Sequence, residues 1–197
     1  SIGMKQHLRN LKPDKFEALI AMNALFGPGP IKYIPNHIAR KHGKEEVSYD
    51  LPVMEEILRE TYGITVYQEQ VMLLSQKLAG FSKGKADELR KVMGKKIREK
   101  LDKMKPEFIK GGVGNGHPED KLNKIWTDWE DFASYAFNKS HSTCYAYIAY
   151  QTAYLKVHYP AEYMAALLTT NLGSVDSLTA YLDECRKMGL HVLGPDV

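Results

Sequence analysis

Apolar residues recur at three- and four-residue spacing along almost the whole chain, and the runs are cut by glycine and proline. That period places one apolar stripe on each helix, whereas strands would need alternation. The cuts are sharp. Gly27-Pro28-Gly29-Pro30 cannot continue a helix, because proline lacks the amide hydrogen and crowds the preceding turn. The pattern predicts helices from Pro13 to Phe26, from Ile31 to His42 with an interruption at Pro35, and from an Asp50 cap toward Gly63. It predicts further helices over Gln68 to Ala79 and from a Ser82 cap to Gly94, with the next opened by Lys95-Lys96. Gly111 to Gly116 reads as a loop. Later helices start at Pro118, Asn138, Pro160 and Val175, the last running to Met188. Ile64 to Tyr67 is the one β-like stretch. The fold class expected is all-α, a multi-helix domain with at most a minimal β contact.

At 197 residues and 44% hydrophobic, the chain can bury a real core. No run approaches the roughly 20 apolar residues a bilayer span needs, and the opening SIGMKQHLRN has no apolar segment of a secretory signal. It begins abruptly, as a cut from a longer chain would. Cys144 and Cys185 are far apart and in no metal spacing, which reads as two free thiols in a cytosolic protein. No structural zinc is expected.

The net charge is +3, but its location matters more. Ser82 to Lys105 holds ten Lys/Arg and four Asp/Glu, while the remainder holds seventeen and twenty. All excess positive charge therefore sits in one segment, where it attracts polyanions or forms an ordinary solvated helix face. Ala86, Leu89, Val92 and Met93 form the apolar face of that helix. Lys91 points nearly opposite it and Arg90 borders it. In Arg90-Lys91-Val92-Met93-Gly94-Lys95-Lys96, Arg supplies a planar fork matched to phosphate and Lys a mobile point charge. Gly94 lets both pairs converge on one anion. An exposed helix end with a lysine surplus is the alternative.

Phe137-Asn138-Lys139-Ser140-His141-Ser142 places an Asn cap before a first turn with unpaired amides and three hydroxyls, from Ser140, Ser142 and Thr143. Lysine there opposes the helix dipole unless an anion is present, so the turn suits a phosphate. A plain Asn/Ser-capped turn with Lys139 in solvent is the alternative. Tyr67-Gln68-Glu69-Gln70 offers two amides and a carboxylate to bases or sugars, or to a helix cap. Trp126, Trp129 and Phe132 are expected in the core, and Tyr145, Tyr147, Tyr150 and Tyr154 as packing on a long buried helix. Asp128, Glu130 and Asp131 point in different directions and make no two-metal site.

Six stretches in order, LFGPGP (25–30), IARKHG (38–43), YGITVYQEQVM (62–72), LAGF with ADELRKVMGKK (78–96), FNKSHS (137–142) and YQTAYLKVHYPAEYMAALL (150–168), resemble the alpha subunit of bacterial DNA polymerase III. SIGM (1–4) and GPDV (194–197) resemble the family's flanking stretches. The resemblance implies a fingers domain over 1–172 of a replicative DNA-directed DNA polymerase, with a C-terminal helix and the start of a link over 173–197. It implies that the catalytic aspartates and their Mg²⁺ lie in a palm before residue 1, so that this piece is inactive alone and binds no cofactor itself. Partners implied are the DNA template-primer, deoxynucleoside triphosphates and, in the whole protein, a sliding clamp and other replisome subunits in the cytoplasm, with no membrane. It assigns nucleotide binding to Arg90, Lys91, Lys95, Lys96, Asn138, Lys139, Ser140 and His141. DNA contacts fall to Arg40, Lys41, Gln68 and Gln70. The chain departs from the family at Gly27, where arginine is usual, at Lys91, which keeps the charge but loses the fork, and at Ser134 and Ala136, where glycines are common. A stand-alone helical DNA-binding module and a purely structural helical scaffold are the competing readings.

Overall fold

The computed structural model describes residues 2–27, 29–95, 97–133 and 137–194. Among them are eleven α-helices and no strand, so the fold is all-α as expected. By internal contacts the chain divides into two compact units, 1–146 and 147–197.

The first unit opens with α1 (Ile2–Leu11), α2 (Phe16–Leu25) and α3 (Ile34–Lys41), the last entered through a 3₁₀ turn. The sequence reading sees only charges before Pro13 and assigns no helix there. Pro13 lies between α1 and α2 and not in a first turn. Pro35 sits in the first turn of α3, which explains the interruption: its missing amide costs nothing there. Next come the short α4 (Glu55–Leu58), flanked by 3₁₀ turns, and then α5 (Gln68–Ala79). Asp50 does not cap this segment; Leu51 occupies the cap position, and Asp50 pairs with Lys124 at 2.8 Å.

α5 and α6 (Lys83–Gly94) form an antiparallel hairpin. Gly80, at φ +68°, turns the chain where a side chain would be strained. The Ser82 hydroxyl then caps α6 by accepting from the Lys85 amide at 3.2 Å. Ala86, Leu89, Val92 and Met93 are all buried, as the period requires. The following helix, α7 (Arg98–Gly114), starts after Ile97, so Lys95 does not open it. Gly111 and Gly112 belong to α7, against the expectation of a loop. The reason is packing. A Cβ at Gly111 would stand 2.3 Å from the Ala79 carbonyl oxygen, and one at Gly112 would stand 2.5 Å from Leu122 Cδ1. Bare backbone lets α7 press on the end of α5 and on α8 (Glu119–Ala133).

Two apolar clusters hold this unit. One gathers α4 to α8 around Phe108, Trp126 and Trp129, with ring centroids 5.0–6.1 Å apart. The tryptophans are therefore core, at about 1.5–3 kcal/mol for each large side chain fully buried. The other gathers α1, α2, α3, Ile64–Tyr67 and Ala146. The β-like stretch resolves to a single parallel bridge between Tyr67 and Phe137.

α9 (Lys139–His158) begins in the first unit. Its tyrosines correct the expectation: Tyr145, Tyr147, Tyr150 and Tyr154 are 45–55% exposed. Apolar residues lie all round α9, so no single stripe faces a core, and among its described residues only Ser142 and Ala146 are buried. The second unit adds α10 (Pro160–Thr170) and α11 (Val175–Lys187), with Met164 and Cys185 buried and Lys156 paired to Glu184. Both cysteines are free. Among the described residues, no helix is long and apolar enough to cross a membrane.

Candidate functional site

Three segments meet around the start of α5. Because α5 and α6 are antiparallel, the end of α6 lies beside it: Gln68 Nε2 is 3.7 Å from where a Cβ on Gly94 would stand. The start of α9 lies on it too. The Gln68 amide donates to the Phe137 carbonyl at 3.0 Å. The Glu69 carboxylate accepts from Asn138 Nδ2 at 3.0 Å and from the Lys139 amide at 3.0 and 3.2 Å. Gly94 at the end of α6 and Phe137–Lys139 at the start of α9 thus both lie against the start of α5. Lys96 lies outside the described residues, as do Ser134 and Ala136.

On α6, Asp87 organises the cations. It accepts from Arg90 Nε at 2.9 Å and Nη2 at 2.8 Å, and from Lys91 Nζ at 2.7 Å. Lys91 first, and Arg90 next, hold the Asp87 carboxyl below its ordinary range. One carboxylate therefore faces two cations, and the pair keeps a net positive charge. Lys95 is exposed.

The first turn of α9 differs from both sequence readings. Lys139 is about one-third exposed, and its Nζ pairs with Glu60 at 2.6 Å and sits 5.2 Å above the Tyr67 ring. Burial, with Glu60 and Glu69 close by, pushes the Tyr67 phenol up and keeps it neutral. Asn138 caps the helix as expected, its Oδ1 accepting from the His141 amide at 2.9 Å. Ser142 is buried and donates to the Ile20 carbonyl at 2.6 Å, while accepting from Asn23 at 3.2 Å. Thr143 returns a bond to the Lys139 carbonyl at 2.8 Å. Ser140 and His141 remain exposed. The His141 ring lies between Phe137 and Tyr145, at 5.5 and 4.8 Å between centroids.

Other assigned residues are committed to the fold. Gln70 is buried. Its Oε1 accepts from the Val66 and Tyr67 amides at 2.8 and 3.0 Å, and its Nε2 donates to the Thr61 hydroxyl at 2.9 Å. It closes the entry to α5. Lys41 is nearly buried, with Nζ on Asp14 at 3.0 Å and on the Lys12 carbonyl at 3.1 Å. Arg40 joins Glu45 at 2.8 Å and the Tyr62 carbonyl at 3.0 Å. These bonds turn both cations toward the protein. Gln68 is half-buried at the junction of the three segments.

Sequence reasoning missed the counter-ions. Asp87 was legible, three and four residues before Arg90 and Lys91. Glu69 and Glu60 were not, since they reach α9 across 70 and 79 residues of chain. Glu130 and Asp128 face their own partners, Trp126 Nε1 at 3.0 Å and Lys124 at 3.0 Å. Among the described residues, no three His, Cys, Asp or Glu side chains converge on a metal-sized site.

Comparison with known proteins adds the family. The family model described as the bacterial DNA polymerase III alpha subunit finger domain matches residues 1–116. The DNA polymerase III subunit alpha of Aquifex aeolicus is 51% identical over 199 residues, covering 100% of this chain and 17% of that protein. That of Borreliella burgdorferi is 46% identical over 197 residues, again 100% and 17%, and that of Thermus aquaticus 46% over 200 residues, 99% and 16%. The chain spans about a sixth of the length of the curated relatives it matches. With its helices, its cationic α6 and its six ordered motifs, this chain belongs to the family of bacterial DNA polymerase III alpha subunit finger domains.

Proposed function

We propose that this domain binds the incoming deoxynucleoside triphosphate, and with it the template-primer, within a bacterial replicative DNA-directed DNA polymerase. What supports this reading is that the end of α6, which carries the cations, and the start of α9, which carries the exposed Ser140 and His141, both lie against the start of α5, through Gln68 beside Gly94 and Glu69 on Asn138. Arg90 and Lys91 lean on Asp87, yet their summed charge exceeds it, so the surface attracts a polyanion. Arg90 is held by two of its three nitrogens, which fixes the guanidinium and leaves Nη1 to a phosphate oxygen. Lys91 and Lys95 add mobile charge, and Ser140 and His141 add hydrogen-bonding groups. The role is electrostatic and positional: fixed cations hold the triphosphate in line and stabilise charge that develops on its leaving group. Movement of the domain over a matched base pair would make it an induced-fit gate.

The residues present do not fit a catalytic metal site, since no set of carboxylates converges among those described. Mg²⁺ and the carboxylates that hold it would belong to a palm elsewhere in the polymerase, and this domain alone would be inactive. The fingers would span 1–172, with 173–197 leading onward. The whole protein would work in the bacterial cytoplasm with a sliding clamp and other replisome subunits. Template-primer contacts would come from Gln68 and from outward-facing cations, and less from Arg40, Lys41 and Gln70.

In the whole polymerase, Arg90→Ala is expected to weaken nucleotide binding by about ten- to a hundredfold, the loss of one charge-assisted hydrogen bond. Single-turnover incorporation measured against nucleotide concentration reads this directly. Unchanged saturation and rate would remove Arg90 from the site.

A further inference from the structure

Glu69 stands where three constraints meet. It lies in the first turn of α5, so its charge complements that helix's own positive end. Its two oxygens also take the Lys139 amide and the Asn138 side-chain amide, so the same carboxylate serves the start of α9. Asn138 is consequently gripped at both ends of its amide: Nδ2 by Glu69, and Oδ1 by the His141 backbone. The path Glu69–Asn138–His141 runs from the core hairpin to the exposed turn in two hydrogen bonds. Glu60 adds a second strut through Lys139 Nζ, and the Ile20 carbonyl a third through Ser142. Of residues 139–142, Ser140 and His141 are the exposed ones.

We propose that Glu69 is a positioning residue for nucleotide binding: by holding Asn138 and the Lys139 amide it sets the turn that presents Ser140 and His141 to the triphosphate. This rests on the nucleotide-binding reading given above. It also divides the FNKSHS motif. Asn138 and Lys139 are supports held by Glu69 and Glu60, and Ser140 and His141 are the contact groups. The carboxylate already fills the anion position at the α9 start, so a phosphate approaches from the side of Ser140, His141 and the α6 cations and not along the helix axis. A loose first turn would move His141 by a fraction of a turn, and such displacement of a contact group is costly.

The test is carried out in the whole polymerase, with Glu69→Ala, Glu69→Gln and His141→Ala. Nucleotide KM, template-primer Kd and the thermal midpoint are read for each. Glu69→Ala is expected to raise nucleotide KM by about tenfold or more, with template-primer Kd unchanged and the midpoint within about 2 °C. Glu69→Gln keeps one acceptor oxygen and should fall between Glu69→Ala and the unsubstituted enzyme. A normal KM in Glu69→Ala beside a raised KM in His141→Ala would overturn the positioning role alone. A lowered KM in Glu69→Ala would overturn it too, and would make the carboxylate a competitor of the phosphate. Equal loss in all three readings would reduce Glu69 to a scaffold residue. Normal KM in both Glu69→Ala and His141→Ala would instead sink the nucleotide-binding reading underneath.

Discussion

Glu69 and Asn138 are 69 residues apart in the chain and share a 3.0 Å hydrogen bond that ties the start of α9 to the start of α5. The end of α6 meets the same α5 start, where Gln68 lies against Gly94. Three helix ends, contributed by residues far apart in sequence, thus make one polar surface on a firmly packed hairpin.

Acid should weaken the fold through His37. The ring is fully buried and packs edge-on against Tyr62 at 5.1 Å. Burial chiefly, with Lys41 and Arg40 adding repulsion against an opposing Thr61 backbone group, lowers its pKa from 6.5 to about 4. The folded state therefore refuses a proton that the unfolded state accepts. The stability from a neutral His37 is complete above about pH 6.5 and lost as pH falls toward 4, by about 3 kcal/mol in all. Urea unfolding of the chain at stepped pH should show this slope, and His37→Leu should flatten it.

Two glycines should respond in opposite directions. Gly111→Ala drives a methyl into the Ala79 carbonyl, and a loss of about 1–3 kcal/mol is expected. Gly84 lies in the first turns of α6 with nothing within 4 Å of its Cβ position. Gly84→Ala should gain about 0.5–1 kcal/mol from helix propensity. Urea midpoints of the two variants read the contrast.

Gln70→Leu should lower stability by about 1–3 kcal/mol, because it strips partners from the buried Val66 and Tyr67 amides. Template-primer affinity of the whole polymerase should be unchanged by the same substitution, which a binding titration at fixed salt would check.

Lys139→Met breaks the Glu60 pair, whose two side chains are about one-third exposed. The expected stability loss is small, about 0.5 kcal/mol after solvent screening. Nucleotide KM in the whole polymerase should shift by less than about threefold, far less than for a direct phosphate ligand.

The fold was largely legible because helix period, caps and breakers are local. Ser82, Gly80 and Asn138 mark their helix ends from sequence alone, and all three act as read. What failed was set by tertiary partners. Gly111 and Gly112 resemble loop residues until Ala79 and Leu122 are seen beside them. Asp50 resembles a cap until Lys124 reaches it from 74 residues away. The tyrosines of α9 resemble core by hydrophobicity, yet a helix apolar on all sides has no face that sequence can assign to the interior. At the site, the cations were legible by type and spacing. Their internal counter-ions were not, except Asp87, since Glu69 and Glu60 act across distant stretches of chain.

The central claim is that the α6 cations and the exposed first turn of α9 receive one triphosphate. A γ-phosphate azidoanilide of dATP, photolysed in the ternary complex of the whole polymerase, tests it directly by peptide mapping. Label is expected on both the peptide spanning 83–97 and the peptide spanning 137–146. Label confined to α8 or α11, with both of those peptides clean, would contradict the account.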